Sequence, residues 1–145
     1  MIKNLVCFVL LIFTFSGCGV DSCDYDCSEG AIYLTLVFLD AETEENLFRN
    51  GTAHIKNLKV YRDNQEVEFL YHQLKRQILL GPFYNFQPAE DYQFLINSAL
   101  LTTLTFGVDE IVEDCCTNYA FTEVTASDGE VTLDDNGIYH IHITP

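Results

Sequence analysis

The chain has 145 residues with 7 Lys+Arg against 22 Asp+Glu, a formal charge of −15, and 48% hydrophobic residues. So much apolar sequence is enough to build a core, which excludes a disordered polymer, and the length suits one domain. The acidic excess disfavours nucleic-acid phosphates and polybasic membrane patches, so no nucleic acid is expected as a partner and cations or basic proteins fit better.

Residues 1–17 open the chain as a targeting segment. Lys3 supplies a short positive region, and residues 5–15 are almost unbroken apolar sequence, too short to span a bilayer and suited to a signal-peptide h-region. Ser16-Gly17-Cys18 then sets two small residues before a cysteine. This run resembles the lipobox of bacterial lipoproteins, although Phe15 stands where that pattern prefers Leu, Val or Ile. The resemblance implies cleavage before Cys18, a diacylglycerol thioether on its sulfur, and a membrane anchor through that lipid. Gly19 in place of Asp implies, by the same resemblance, outer-membrane sorting, facing the periplasm or the cell surface.

Residues 18–30 form an acidic tether with Cys23 and Cys27. With Cys7 removed and Cys18 lipidated, these two and Cys115 and Cys116 make an even set for disulfides in an oxidising compartment. A bridge between the adjacent Cys115 and Cys116 is strained, so the two crossed pairings between tether and cysteine pair are preferred. Each closes a loop of about 90 residues, for which chain entropy gives roughly 4 kcal/mol. A four-thiolate zinc site is the alternative, but a C-x3-C with a contiguous pair is poor tetrahedral spacing.

Residues 31–145 carry a β vocabulary, with 13% aromatics mixed among Val, Ile and Thr. Residues 31–39 (AIYLTLVFL) read as a central strand with two apolar faces. Residues 40–52 (DAETEENLFRNGT) read as a loop turning at Asn50-Gly51. The run D-A-E-T-x-E-N-L-F-x-N-G-T resembles small uncharacterised lipoproteins of Gram-negative bacteria, which implies an extracytoplasmic β-sandwich and no particular activity. The sequon Asn50-Gly51-Thr52 is discounted beside a bacterial signal.

Residues 55–62 and 66–71 flank Asp63-Asn64-Gln65 as a hairpin, and the second arm also carries a helical stripe through Leu74 and Ile78. Strand is the reading adopted, with a short helix after it. Residues 78–86, broken by Gly81-Pro82, read as an edge strand or crossing segment. Strands follow at 91–98 and 101–108, then an acidic connection at 109–114 (DEIVED) into the cysteine pair, then strands at 119–125, 130–133 and 137–144 separated by Ser127-Asp128-Gly129 and Asp134-Asp135-Asn136-Gly137. The sum is an all-β antiparallel sandwich, immunoglobulin-like or related, of seven to nine short strands.

Chemistry-bearing patterns are few. His140 and His142 share one face of the last strand and are the candidate metal ligands; the alternating strand also accounts for them as its polar half. The acidic clusters at 109–114 and 134–136 lack the order of a calcium loop. No serine has a G-x-S-x-G context and the cysteines are otherwise employed, so neither a catalytic residue nor a cofactor is expected, and the chain is read as not an enzyme. The expected function is a membrane-anchored binding or structural accessory module of the envelope, with a cationic protein or a glycan as partner. The alternatives are an inhibitor or chaperone-like lipoprotein acting on a basic partner, and a small metal-dependent hydrolase using His140 and His142.

Overall fold

A computed structural model describes residues 30–113 and 116–144. They form ten strands: β1 (Ile32–Asp40), β2 (Leu58–Arg62), β3 (Gln65–Val67), β4 (Phe69–His72), β5 (Gln77–Phe83), β6 (Gln87–Ile96), β7 (Ala99–Glu113), β8 (Cys116–Ala126), β9 (Glu130–Leu133) and β10 (Ile138–Ile143). Two five-stranded sheets pack as a sandwich, one ordered β4-β5-β1-β10-β9 and the other β3-β2-β6-β7-β8. Pairing is antiparallel except between β1 and β10, which run parallel from Thr35↔Ile138 to Asp40↔Ile143.

β1 takes the central place its two apolar faces required. Leu34, Leu36 and Phe38 are fully buried between the sheets, where Ile78, Leu80, Ile141 and Ile143 flank them and Phe94, Leu104 and Phe106 come from the opposite sheet. Period-two alternation selects these residues, and their burial supplies most of the driving force for folding.

Strand count exceeds the expected seven to nine because one strand serves both sheets. β3 and β4 are a single run interrupted only at Glu68, so the chain crosses between sheets there and joins the two edges covalently. Residues 73–76 make a turn instead of the short helix expected after this strand. The helical stripe loses because Phe69, Tyr71 and Ile78 are placed by strand pairing, Tyr71 opposite Ile78. Asp63 and Asn64 both have positive φ, the conformation of a two-residue hairpin between β2 and β3.

Two further readings are corrected. β5 is no edge strand; it lies between β4 and β1. Its Pro82, after a cis Gly81-Pro82 bond, is accommodated in a bulge where Ile32 faces Phe83 and Leu34 faces Leu80, one extra residue falling on β5. Residues 109–113 are strand and not a connection, since they continue β7 opposite Cys116–Ala120 of β8. Their charges misled the reading because this part of the hairpin extends beyond Gln87, the first residue of β6 to pair with β7, and is open to water.

The two ends of the sandwich differ. At the end where β1 finishes, residues of the 41–54 loop fold inward and bury Leu47, Phe48 and Ala53, with Phe48 edge-on to both Phe38 and Tyr71. At the end where β1 begins, an aromatic group of Phe83, Tyr92, Phe106 and Phe121 closes the core, with Tyr92 stacked on Phe106 at 4.4 Å between centroids.

Candidate functional site

The most unusual side chains in the fold stand at that second end. On β2 the core-facing series is Leu58, Val60, Arg62; on β6 it is Glu90, Tyr92, Phe94, Ile96. Arg62 lies opposite Tyr92, and Glu90 opposite the buried Phe106, so register places both charges on the inward face. There the guanidinium Nη1 of Arg62 stands 3.4 Å from Oε2 of Glu90 and donates a hydrogen bond to the Tyr92 hydroxyl at 3.3 Å. The guanidinium carbon also lies over the Tyr92 ring, 5.9 Å from its centroid.

Electrostatics follow from this packing. The hydrogen bond and charge contact with Tyr92 hold the Arg62 guanidinium above its ordinary range. Burial pushes the Tyr92 phenol up, and Arg62 pulls partly the other way, so the hydroxyl stays protonated near neutrality. Oε2 of Glu90 is buried and makes no hydrogen bond among the described residues despite the nearby guanidinium.

Arg62 and Tyr92 border a cleft of about 340 Å³ whose other walls are Val67, Glu68, Gly81, Pro82, Phe83 and Gln87, with Glu90 behind Arg62 and outside the lining. A second hollow, of about 270 Å³, shares Glu68, Gly81 and Pro82 with it and continues to Tyr33, Phe69 and Leu70. The two hollows adjoin at the Glu68 crossing, one walled by Arg62 and Tyr92 and the other by Tyr33, Phe69 and Leu70. The β5–β6 connection at the same end exposes Tyr84 at 61% and Phe86 at 57%. A larger hollow of about 510 Å³ lies among Leu39, Glu44, Glu45, Asn46, Arg49 and Asn50, but no aromatic side chain lines it. The Arg62 groove combines a cation, a carboxylate, a phenol, a side-chain amide and apolar surface, which is the mixture that orients a polar ligand.

The residues singled out from sequence are distributed elsewhere. His140 and His142 do share the outer face of β10. Nε2 of His140 stands 3.3 Å from Oδ2 of Asp134, and Nε2 of His142 stands 3.4 Å from Oγ1 of Thr132. Among the described residues no three His, Cys, Asp or Glu side chains converge as a metal site would require. Asp134 itself closes the β9–β10 turn, accepting from the backbone N–H of Ile138 and Asn136, and these bonds hold its carboxyl below the usual range. Cys116, half-buried at the start of β8, is not a free thiol. Cys18, Cys23, Cys27 and Cys115 lie outside the described residues.

Sequence reading missed Arg62 and Glu90, although a signal existed: each interrupts an alternating apolar series at a position where the pattern calls for a hydrophobe. Comparison with protein-family models, with curated proteins and with solved structures finds no match.

Proposed function

We propose that this protein is a lipoprotein of the cell envelope, anchored through Cys18, whose β-sandwich is a binding module with its ligand groove at Arg62, Glu68 and Tyr92. The observation that carries the binding role is Arg62 on a core-facing position, backed by Glu90 and lining a groove with Glu68 and Tyr92 at the end that exposes Tyr84 and Phe86. Solvent-facing strand positions would have served solubility equally well, whereas inward charges forgo core packing and suit recognition. Nη2 and Nε of Arg62 make no hydrogen bond among the described residues and are available to a ligand's oxygens. Donors, acceptors and aromatic faces side by side favour a hydroxyl-rich ligand, hence a glycan.

The anchor reading rests on the Ser16-Gly17-Cys18 run, and the crossed disulfides are a separate part of the proposal. The chain enters at Ile32, beside Phe83, and the β7–β8 hairpin reaches beyond β6 at this same end, with Glu113 opposite Cys116. The start of β1 and the Glu113/Cys116 turn of the hairpin thus lie toward one end of the sandwich, which is compatible with the crossed disulfides, although Cys23, Cys27 and Cys115 lie outside the described residues. Cys18→Ser should leave the precursor unprocessed and release the protein from membranes; unchanged fractionation would defeat the anchor.

The groove is tested by titrating soluble envelope oligosaccharides while following tyrosine fluorescence, since the chain has no tryptophan. Saturable quenching that is lost in Arg62→Ala and in Tyr84→Ala/Phe86→Ala is the expected result. A flat response across the oligosaccharide panel would remove the glycan. A cationic protein is the second reading, favoured by the formal charge of −15.

A further inference from the structure

Four strands lie at sheet edges, and three of them are short: β3 has three residues, β4 four and β9 four. Short edges are a recognised protection against unwanted pairing. β8 differs. It is eleven residues long, pairs only with β7 among the described residues, and has no fully buried residue along its length. A bulge interrupts it where Thr105 faces Thr125 and Gly107 faces Thr122, with Glu123 at positive φ. Bulges twist an edge away from new partners, so the unprotected part is 117–122, on the near side of the bulge.

That part has an unusual composition for this chain. Residues 117–122 (TNYAFT) contain no charge and no proline, although 22 acidic residues are spread through the sequence. Alternate residues of an antiparallel edge turn their N–H and C=O away from the existing neighbour, so about three residues here offer unpaired main-chain groups. The charges nearby are acidic: Asp109 faces Ala120, Glu110 faces Tyr119, and Glu123 ends the run.

We infer that the 117–122 edge of β8 is a strand-addition site for an extended segment of a basic partner protein, apolar at alternate positions and carrying Lys or Arg between them. Main-chain hydrogen bonds would supply the affinity, as in other strand-addition modes. Apolar side chains of the added strand would lie beside Tyr119 and Phe121, and its cations within a Debye length of Asp109 and Glu110. A second copy of this chain is the poorer occupant, because each brings a formal charge of −15. The inference rests on the domain being a binding module, and on a surface separate from the Arg62 groove.

Its test uses the detergent-solubilised full chain and a synthetic ten-residue peptide alternating valine with lysine and threonine, read by amide hydrogen exchange. The expected result is exchange slowed about tenfold or more at alternate residues of 117–122. The same peptide with glutamate for lysine should protect far less. Of Asn118→Pro and Tyr119→Pro, the one removing an outward N–H should lose peptide protection while the remaining strands keep their native exchange. Equal protection by both peptides, or none, would overturn the inference, as would protection of this edge that appears without peptide as protein concentration rises. Oligosaccharide binding at Arg62 without any peptide protection would remove this inference and leave the groove standing.

Discussion

Arg62 and Glu90 occupy core-facing positions on adjacent strands and meet at 3.4 Å at the mouth of the sandwich. Both remain partly open to water, with side-chain exposures of 41% and 34%, so the pair is a device of the groove more than of the core.

That distinction has a measurable consequence. Arg62→Leu leaves the buried Glu90 oxygen facing an apolar wall and should cost about 1 kcal/mol, a value kept small by solvent screening. Arg62→Leu/Glu90→Leu should recover most of that loss while ligand binding stays abolished. Urea denaturation of the two single variants and the double variant reads the coupling; strictly additive losses would show that the charges do not interact.

Gly129 and Gly51 both have positive φ but differ in surroundings. A Cβ on Gly129 would collide with the backbone carbonyl oxygen of His142, while one on Gly51 would meet nothing within 4 Å. Gly51→Ala should therefore cost only the left-handed backbone term, about 1–2 kcal/mol. Gly129→Ala should cost more, about 3 kcal/mol or above, because the β8–β9 crossing must shift as well. Thermal melts of the pair decide it, and equal losses would mean that the carbonyl moves aside freely.

Tyr71 buries its hydroxyl without a hydrogen-bond partner among the described residues, at the plugged end of the sandwich, where its ring packs edge-on to Phe48. Removing an unsatisfied polar atom while keeping the ring should help. Tyr71→Phe is expected to stabilise the domain by about 1 kcal/mol in urea denaturation, and a loss of stability would point to a partner for the hydroxyl.

Acid sensitivity should arise in part from two turn carboxylates. Backbone N–H groups of Ile138 and Asn136 lower the pKa of Asp134, and those of Thr43 and Glu42 lower that of Asp40. A folded-state pKa below the ordinary aspartate value means that the stabilisation is present above that value and is lost as pH falls through the depressed folded pKa. Circular dichroism titrated downward from pH 5 should show unfolding deepening below about pH 4. Asp134→Asn, which keeps a side-chain acceptor oxygen but cannot titrate, should weaken that dependence; an unchanged acid profile would contradict the assignment.

Local chemistry made much of the architecture legible. The doubly apolar 31–39 run read as a central strand because no edge could shelter both faces, and the turns at 63–64, 127–129 and 134–137 declared themselves through Asn, Asp, Ser and Gly at left-handed or side-chain-bonded positions. The Leu47 and Phe48 plug was hidden because its apolar pair sits inside an otherwise polar loop. The 109–113 strand was hidden because its acids look like a connection until β8 is seen opposite them.

By itself the sequence determined the alternation that builds a β core and the places where the chain turns, and it supplied the apolar N-terminal run and cysteine spacing from which the envelope proposal is drawn, all of them properties of neighbours within a few residues. Only the tertiary structure decided that β1 and β10 pair in parallel, that Glu68 marks a crossing between sheets, and that Arg62 and Glu90 share one mouth. Each of these depends on register between strands distant in the chain, and register is set by how two whole sheets bury their inner faces together, which no single stretch encodes.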